Sequence, residues 1–192
     1  MKKIGLMFVI ALVGVFMVTG CGKTEYLTGK INVEIEVKDY GTIAVELDAD
    51  EAPITVTNFV DLVEEGFYDG LTFHRIIDGF MIQGGDPNGD GSGGSGRTIK
   101  GEFSSNGVDN SIDHVRGVIS MARSSLPNSA SSQFFIVQED SPHLNGEYAA
   151  FGHVTSGMEI VDAICEDVQV EDTNGTVLPE NQPVITSIKV VE

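Results

Sequence analysis

The chain has 192 residues, 41% hydrophobic and 21% charged, a composition long and apolar enough for one packed domain and unlike a disordered or low-complexity polypeptide. Eleven Lys+Arg against 29 Asp+Glu give a formal charge of −18, which disfavours nucleic acid and anionic lipid headgroups as partners within a screening length of ~8–10 Å.

Lys2 and Lys3 precede an almost unbroken apolar run, Ile4 to Val18, and the small residues Thr19 and Gly20 lead to Cys21. This is the layout of a secretory signal peptide, and the run is shorter than the ~20 residues of a permanent membrane-spanning helix. Val18-Thr19-Gly20-Cys21 resembles the bacterial lipobox, in which the Cys is diacylated and becomes the new N-terminus. An ordinary signal peptide that happens to contain a cysteine is the alternative. The expected organisation is a lipoprotein signal peptide over 1–20, the lipidated Cys21 with a polar tether over 21–30, and one domain over 31–192. The expected location is the extracytoplasmic face of the cell membrane. Cleavage removes Lys2 and Lys3 but no acid, taking −18 to −20, so acyl chains rather than charge must do the anchoring. With Cys21 acylated, Cys165 has no disulfide partner; its helical apolar surroundings, Met158 to Cys165, point to a buried structural thiol.

Ile31, Val33, Ile35 and Val37 alternate with polar residues, as in a half-buried strand, and Ile43, Val45 and Leu47 return as its hairpin partner after the turn Asp39-Tyr40-Gly41. Pro53 opens a helix to about Glu65, with Val56, Phe59, Val60 and Val63 on one face and Gly66 closing it. Short strands are expected over roughly Leu71–Ile77, Phe80–Gly84, Val118–Ala122, Gln133–Val137 and Ala149–Val154. A second helix covers about Met158–Glu166, and the chain ends in a strand, Val184–Val191. Many short strands with two helices and no βαβ alternation point to a closed antiparallel barrel or a sandwich.

Several patterns promise more than their context supports. Gly91 to Gly96 fits G-x-G-x-x-G, but Arg97-Thr98-Ile99-Lys100-Gly101 does not open a helix, so a flexible loop is the better reading. Asp86, Asn88, Asp90 and Gly91 imitate the start of a calcium loop, yet the twelfth position holds Arg97 instead of a bidentate Glu. His74, His114, His143 and His153 lack metal-ligand spacing, and no G-x-S-x-G elbow occurs. No metal or cofactor is expected. A hydrolase built on His74 and a nearby Ser has no local motif in its favour.

Three segments carry the functional signal: Phe73-His74-Arg75-Ile76-Ile77-Asp78-Gly79-Phe80-Met81-Ile82-Gln83-Gly84-Gly85-Asp86; Gly117 to Arg123 continued through Ser131-Ser132-Gln133-Phe134-Phe135-Ile136; and His143-Leu144-Asn145-Gly146-Glu147-Tyr148-Ala149-Ala150-Phe151-Gly152. In order and near spacing they resemble the signature segments of the cyclophilin family of peptidyl-prolyl isomerases, over about Ile31 to the C-terminus. The resemblance implies a mainly β fold, a closed eight-stranded antiparallel barrel capped by two α-helices. It implies Arg75 as the catalytic arginine and Phe80, Met81, Phe135 and Leu144 as a proline pocket. His74, Gln83, Ala122, Arg123, Gln133, His143 and Tyr148 would line the rest of the groove, beside the glycine-rich stretch Asn88–Gly96. Two positions depart: His143 stands where many eukaryotic members have Trp, and Tyr148 where they have His. Because that Trp offers an indole N–H and an apolar face to the cyclic peptide cyclosporin, weak cyclosporin binding is expected.

The chemistry agrees with the resemblance. Rotation about a peptide bond costs about 18–20 kcal/mol, and X-Pro bonds interconvert in tens to hundreds of seconds. No covalent bond is made or broken, so the need is for a site that binds the twisted amide better than either planar isomer. The expected partners are proline-containing segments of exported polypeptides, met by a monomer held at the membrane through Cys21. The rival reading on the same fold is a non-catalytic module or chaperone that only holds proline segments.

Overall fold

The computed structural model describes residues 25–191, so the expected signal peptide over 1–20 and Cys21 lie outside the described residues. In chain order the elements are β1 (Lys30–Val37), β2 (Gly41–Asp48), α1 (Pro53–Glu64), β3 (Thr72–Ile77), β4 (Met81–Asp86), β5 (Val118–Met121), β6 (Phe134–Val137), β7 (Ala149–Ser156), α2 (Met158–Asp167) and β8 (Ile185–Val191). Three-residue 3₁₀ turns lie at Ser104–Asn106, Pro142–Leu144 and Pro179–Asn181. Every expected strand and both expected helices are present, within a few residues of the expected bounds.

The strands form one antiparallel sheet in the order β3-β4-β6-β5-β7-β2-β1-β8. The sheet curls into a half-barrel rather than the closed barrel expected. Its edge strands do not zip together: β3 meets the start of β8 at one isolated bridge, Thr72 to Val184. Pro183, just before β8, has no N–H to give a ladder. The outer edge of β3 is covered instead by irregular chain, with Ile76 N–H donating to Gly175 O (2.8 Å), Phe73 N–H to Pro183 O (3.0 Å) and Val177 N–H to His74 O (3.1 Å). The edge is satisfied without closure.

Period-two alternation divides the apolar residues into two clusters. Val33, Ile35, Ile43, Val45, Ile82, Phe134 and Ile136 point inward and pack with Phe59 of α1 and with Tyr68, Phe73 and Phe151. The intervening residues Met81, Phe135 and Val137 point outward and join Val118, Leu144 and Ala150 in a smaller cluster on the opposite face. The first is the core; the second becomes the floor of the site. Each large side chain removed from water contributes about 1.5–3 kcal/mol, so the interior cluster dominates stability.

Helix α1 has no capping side chain at Ala52. Its first amides are met by Glu102, a buried carboxylate that accepts from Ile54 N–H (3.0 Å) and Thr55 N–H (2.7 Å). A negative group at a helix N-terminus also suits the helix dipole. The end of the expected tether is part of the fold: Leu27 packs against the core and donates its N–H to Thr57 Oγ1 (2.8 Å), and Gly29 N–H reaches Asp50 Oδ1 (2.8 Å).

Candidate active site

Strand register sets the first row of side chains. Arg75 on β3 stands opposite Gln83 on β4, and Gln83 stands opposite Phe135 on β6. Direct cross-strand partners share a face of the sheet. A cation, an amide and a phenyl ring thus line up from three separate segments.

Arg75 is half-buried and held by neutral acceptors. Nε donates to Asn174 O (2.8 Å), Nη2 to Asn174 Oδ1 (3.3 Å) and Nη1 to Gln83 Oε1 (3.2 Å). Among the described residues it forms no salt bridge, whereas Arg97, Arg116 and Arg123 each pair with a carboxylate. Burial pulls its pKa below the ordinary value, but a guanidinium stays charged at neutral pH. Three of its five N–H donors are engaged in these contacts, which leaves donors over for a ligand.

The cation also orients what lies beyond it. Gln83 Oε1 accepts from Arg75, so its amide nitrogen faces the other way and donates to Gln133 Oε1 (2.9 Å). Gln133 Nε2 then donates to Gly91 O (3.0 Å) and Gly93 O (2.8 Å). One directional chain of hydrogen bonds connects Arg75 to the glycine-rich loop.

Asn174 was not among the residues expected from sequence. Asp172-Thr173-Asn174-Gly175 reads only as a turn, and its contact with Arg75 spans 99 residues, beyond any local pattern. The turn is built to hold: Asp172 accepts from Asn174 N–H (2.9 Å), Thr176 N–H (3.1 Å) and Thr176 Oγ1–H (3.0 Å). Gly175 has φ +80°, and a Cβ there would lie 2.2 Å from Ile76 O, so only glycine fits.

Beside Arg75 is a recess of about 220 Å³ whose apolar wall is Phe80, Met81, Phe135 and Leu144, with Gln83, Ala122, Arg123 and Tyr148 completing it. A second recess of about 230 Å³ shares Gln83, Ala122 and Arg123 and extends along Gln133, Gly91, Ser92 and Gly93 to Ser124, Ser129 and Ser131. Arg123 serves as wall: its guanidinium lies 4.7 Å from the Tyr148 ring centre and 5.0 Å from that of Phe103, and it pairs with Glu147 at 3.4 Å. His143 is exposed, outside the recess lining, with its ring 5.5 Å from that of Phe80.

His74 does not line the groove. It is 4% exposed, under Gly91, and neither ring nitrogen has a hydrogen-bond partner among the described residues. No serine hydroxyl meets it, so nothing in its surroundings supports a hydrolase built there. Asp86, the start of the calcium-like pattern, accepts from the N–H groups of Asn88 (2.9 Å), Asp90 (3.2 Å) and Gly91 (2.6 Å) and so caps its own loop. Among the described residues no three His, Cys, Asp or Glu cluster as metal ligands. Cys165 is buried, and its surroundings push the thiol up to about 12, the behaviour of a packing residue.

The family described as "Cyclophilin type peptidyl-prolyl cis-trans isomerase/CLD" matches residues 32–190. The chain belongs to that family. Peptidyl-prolyl cis-trans isomerase B of Bacillus subtilis is 51% identical over 123 residues, 64% of this chain and 82% of that one. A peptidyl-prolyl cis-trans isomerase of Helicobacter pylori is 46% identical over 144 residues, 74% of this chain and 81% of that one. Among solved structures, a Cryptosporidium parvum cyclophilin-type isomerase determined in the presence of the dipeptide Ala-Pro superposes with a TM-score of 0.73 at 34% identity, covering 84% of this chain and 99% of that one. This cyclophilin is therefore a peptidyl-prolyl cis-trans isomerase.

The buried His74 makes the fold sensitive to acid. Burial, and to a lesser degree Arg75, hold its pKa below 6.5, against the opposite pull of Asp86 and Asp90. A folded-state pKa below the unfolded one means the unfolded chain binds the proton first. The contribution to stability is complete above about pH 6.5 and is lost as pH falls below it, with a slope of at most about 1.4 kcal/mol per pH unit. Urea unfolding between pH 7 and 5.5 is expected to show declining stability, and His74→Phe, which removes two unsatisfied nitrogens, is expected to flatten that decline. An unchanged slope in the variant would contradict this assignment.

Proposed function

We propose that Arg75 is the catalytic residue of this isomerase and that it acts on proline-containing segments of exported polypeptides at the membrane surface. The observation that carries the proposal is a guanidinium with donors to spare, unpaired by any described carboxylate, at the edge of an apolar recess. The apolar wall holds the proline ring while the preceding carbonyl swings. In the twisted amide the proline nitrogen regains a lone pair, and Arg75 offers donors to that nitrogen and the adjacent carbonyl. Those donors bind the twisted state better than the planar one, which is what raises the rate. The chain Arg75–Gln83–Gln133 keeps the fork aimed before substrate arrives, and the residues preceding proline run toward the second recess.

A charged hydrogen bond is worth roughly 1.5–3 kcal/mol, so Arg75→Ala is expected to lower kcat/KM for a proline tetrapeptide by about 10- to 150-fold. Arg75→Lys is expected to recover little, since a point charge cannot satisfy both Gln83 and Asn174 and still reach substrate. A folded Arg75→Ala protein with near-normal kcat/KM would overturn the catalytic assignment and favour the non-catalytic module.

The membrane location rests on the lipobox-like Val18-Thr19-Gly20-Cys21. With the chain docked from Leu27 onward, residues 22–26 alone are left as tether and reach at most ~18 Å when extended. A monomer on so short a tether works against the membrane face, and two or three acyl chains hold it there stably. Intact-mass analysis of membrane-fraction protein is expected to show diacylglyceryl on Cys21, with Cys21→Ser released or misprocessed. An unmodified Cys21 would exclude the anchor.

At the rim, His143 packs against Phe80 where an indole would cover more surface. At about 25 cal/mol per Å², the smaller ring implies cyclosporin binding weaker by about 1–2 kcal/mol, or roughly 5- to 30-fold, than in His143→Trp. Short-peptide turnover is expected to be similar in both. Equal cyclosporin affinity in the two proteins would remove His143 from the inhibitor face.

A further inference from the structure

The row Arg75, Gln83, Phe135 continues one strand further, because Phe135 stands opposite Ser120 on β5. Ser120 is 0% exposed, and its Oγ lies 2.9 Å from Nε2 of His114, itself 1% exposed. On the far side of the imidazole, Nδ1 lies 3.1 Å from Asn145 Oδ1. Asn145 Nδ2 donates to the Asp113 carboxylate (2.6 Å), which fixes the amide's orientation. Its Oδ1 must then accept, so Nδ1 of His114 carries the proton and Nε2 accepts from the Ser120 hydroxyl. The order Ser, His, Asn imitates a nucleophile relay, but a hydroxyl with no exposed surface meets no substrate carbonyl. The arrangement has another use.

The His114 ring stacks on Phe135, with centres 6.1 Å apart and planes 17° from parallel. Tyr148 meets Phe135 edge-on at 5.8 Å and 86°. The floor of the prolyl recess is thus gripped by two rings. Asn145 directly follows Leu144, the recess wall, and Ser141 N–H at the start of the same turn donates to His114 O (2.7 Å). One imidazole therefore binds β5, the floor ring and the wall turn together.

We propose that His114 is a positioning residue for the prolyl recess: through Phe135 and the Leu144 turn it sets how closely the recess grips a proline ring, without touching substrate. The proposal rests on the reading of this recess as the proline site. The ring is held alike in the planar and twisted amide, so losing this grip weakens binding of both. Its signature is a raised KM at nearly constant kcat, the reverse of what removing Arg75 does.

The test uses His114→Gln, which loses the flat stack, and Ser120→Ala, which keeps the ring but frees one of its nitrogens. KM for a proline tetrapeptide and the Kd of Ala-Pro are expected to rise about 2- to 10-fold in His114→Gln, with a smaller rise in Ser120→Ala and kcat within about twofold in both. Ser120→Ala decides the matter should His114→Gln fail to fold. Val33→Ala, a core substitution away from the recess, is the stability control and is expected to leave KM alone. Ala-Pro is also titrated into wild type while the Met81 methyl signal is followed by NMR. A Met81 signal that never moves would overturn both the proline site and this inference. A signal that moves in wild type, with Kd and KM unchanged in the variants or with the loss appearing in kcat, would overturn the inference alone.

Discussion

The proposed chemistry depends on keeping one cation out of ion pairs in a protein with 29 carboxylate side chains. Were Arg75 paired with Asp or Glu, its charge would be spent in the resting state and little would remain for the twisted amide. The oxygens that accept its hydrogen bonds carry partial charge only, one from the amide of Gln83 and two from Asn174, while the Asp172 carboxylate acts on it without a direct contact. Neutral acceptors fix the direction of the fork without cancelling its field. The other arginines show the contrast, with Arg116 gripping Asp162 at 2.6 Å and Arg123 anchored between two rings and Glu147.

That freedom is a consequence of the sheet. A half-barrel has an inner face for the core and an outer face that can carry a groove, and strand alternation assigns residues to each. Ile82 goes in while Met81 and Gln83 go out; Phe134 and Ile136 go in while Phe135 goes out. A one-residue slip of β4 against β3 would bury Gln83 and strand Arg75 without its acceptor. The sheet's failure to close serves the same end. The chain that covers β3 where β8 does not includes the Asp172–Thr176 turn, and that turn supplies Asn174.

Much of this was legible in the sequence because its signals are local. Alternation in Ile31–Val37 and the helical spacing of Val56, Phe59, Val60 and Val63 reflect forces acting within a few residues. The groove was legible through three ordered segments, which place Arg75, Phe80, Met81, Gln83 and Phe135 together. What escaped depends on contacts distant in sequence. Glu102 caps a helix about 50 residues before it, Asn174 answers an arginine 99 residues away, and Pro183 O accepts from the edge amide of Phe73 from near the far end of the chain. His74 illustrates a different failure: the register of β3 against β4 shifts between Phe73 and Arg75, so alternation breaks there, Arg75 turns to the groove and His74 is left under the glycine-rich loop.

The measurement that bears most directly on this account is kcat/KM of Gln83→Glu compared with Gln83→Met at pH 7. Both lose the donor to Gln133, but only the first places a carboxylate against Arg75. If an uncancelled guanidinium is the source of catalysis, Gln83→Glu falls at least about tenfold below wild type, some 1.4 kcal/mol, and clearly below Gln83→Met. A folded Gln83→Glu enzyme as active as Gln83→Met would contradict it.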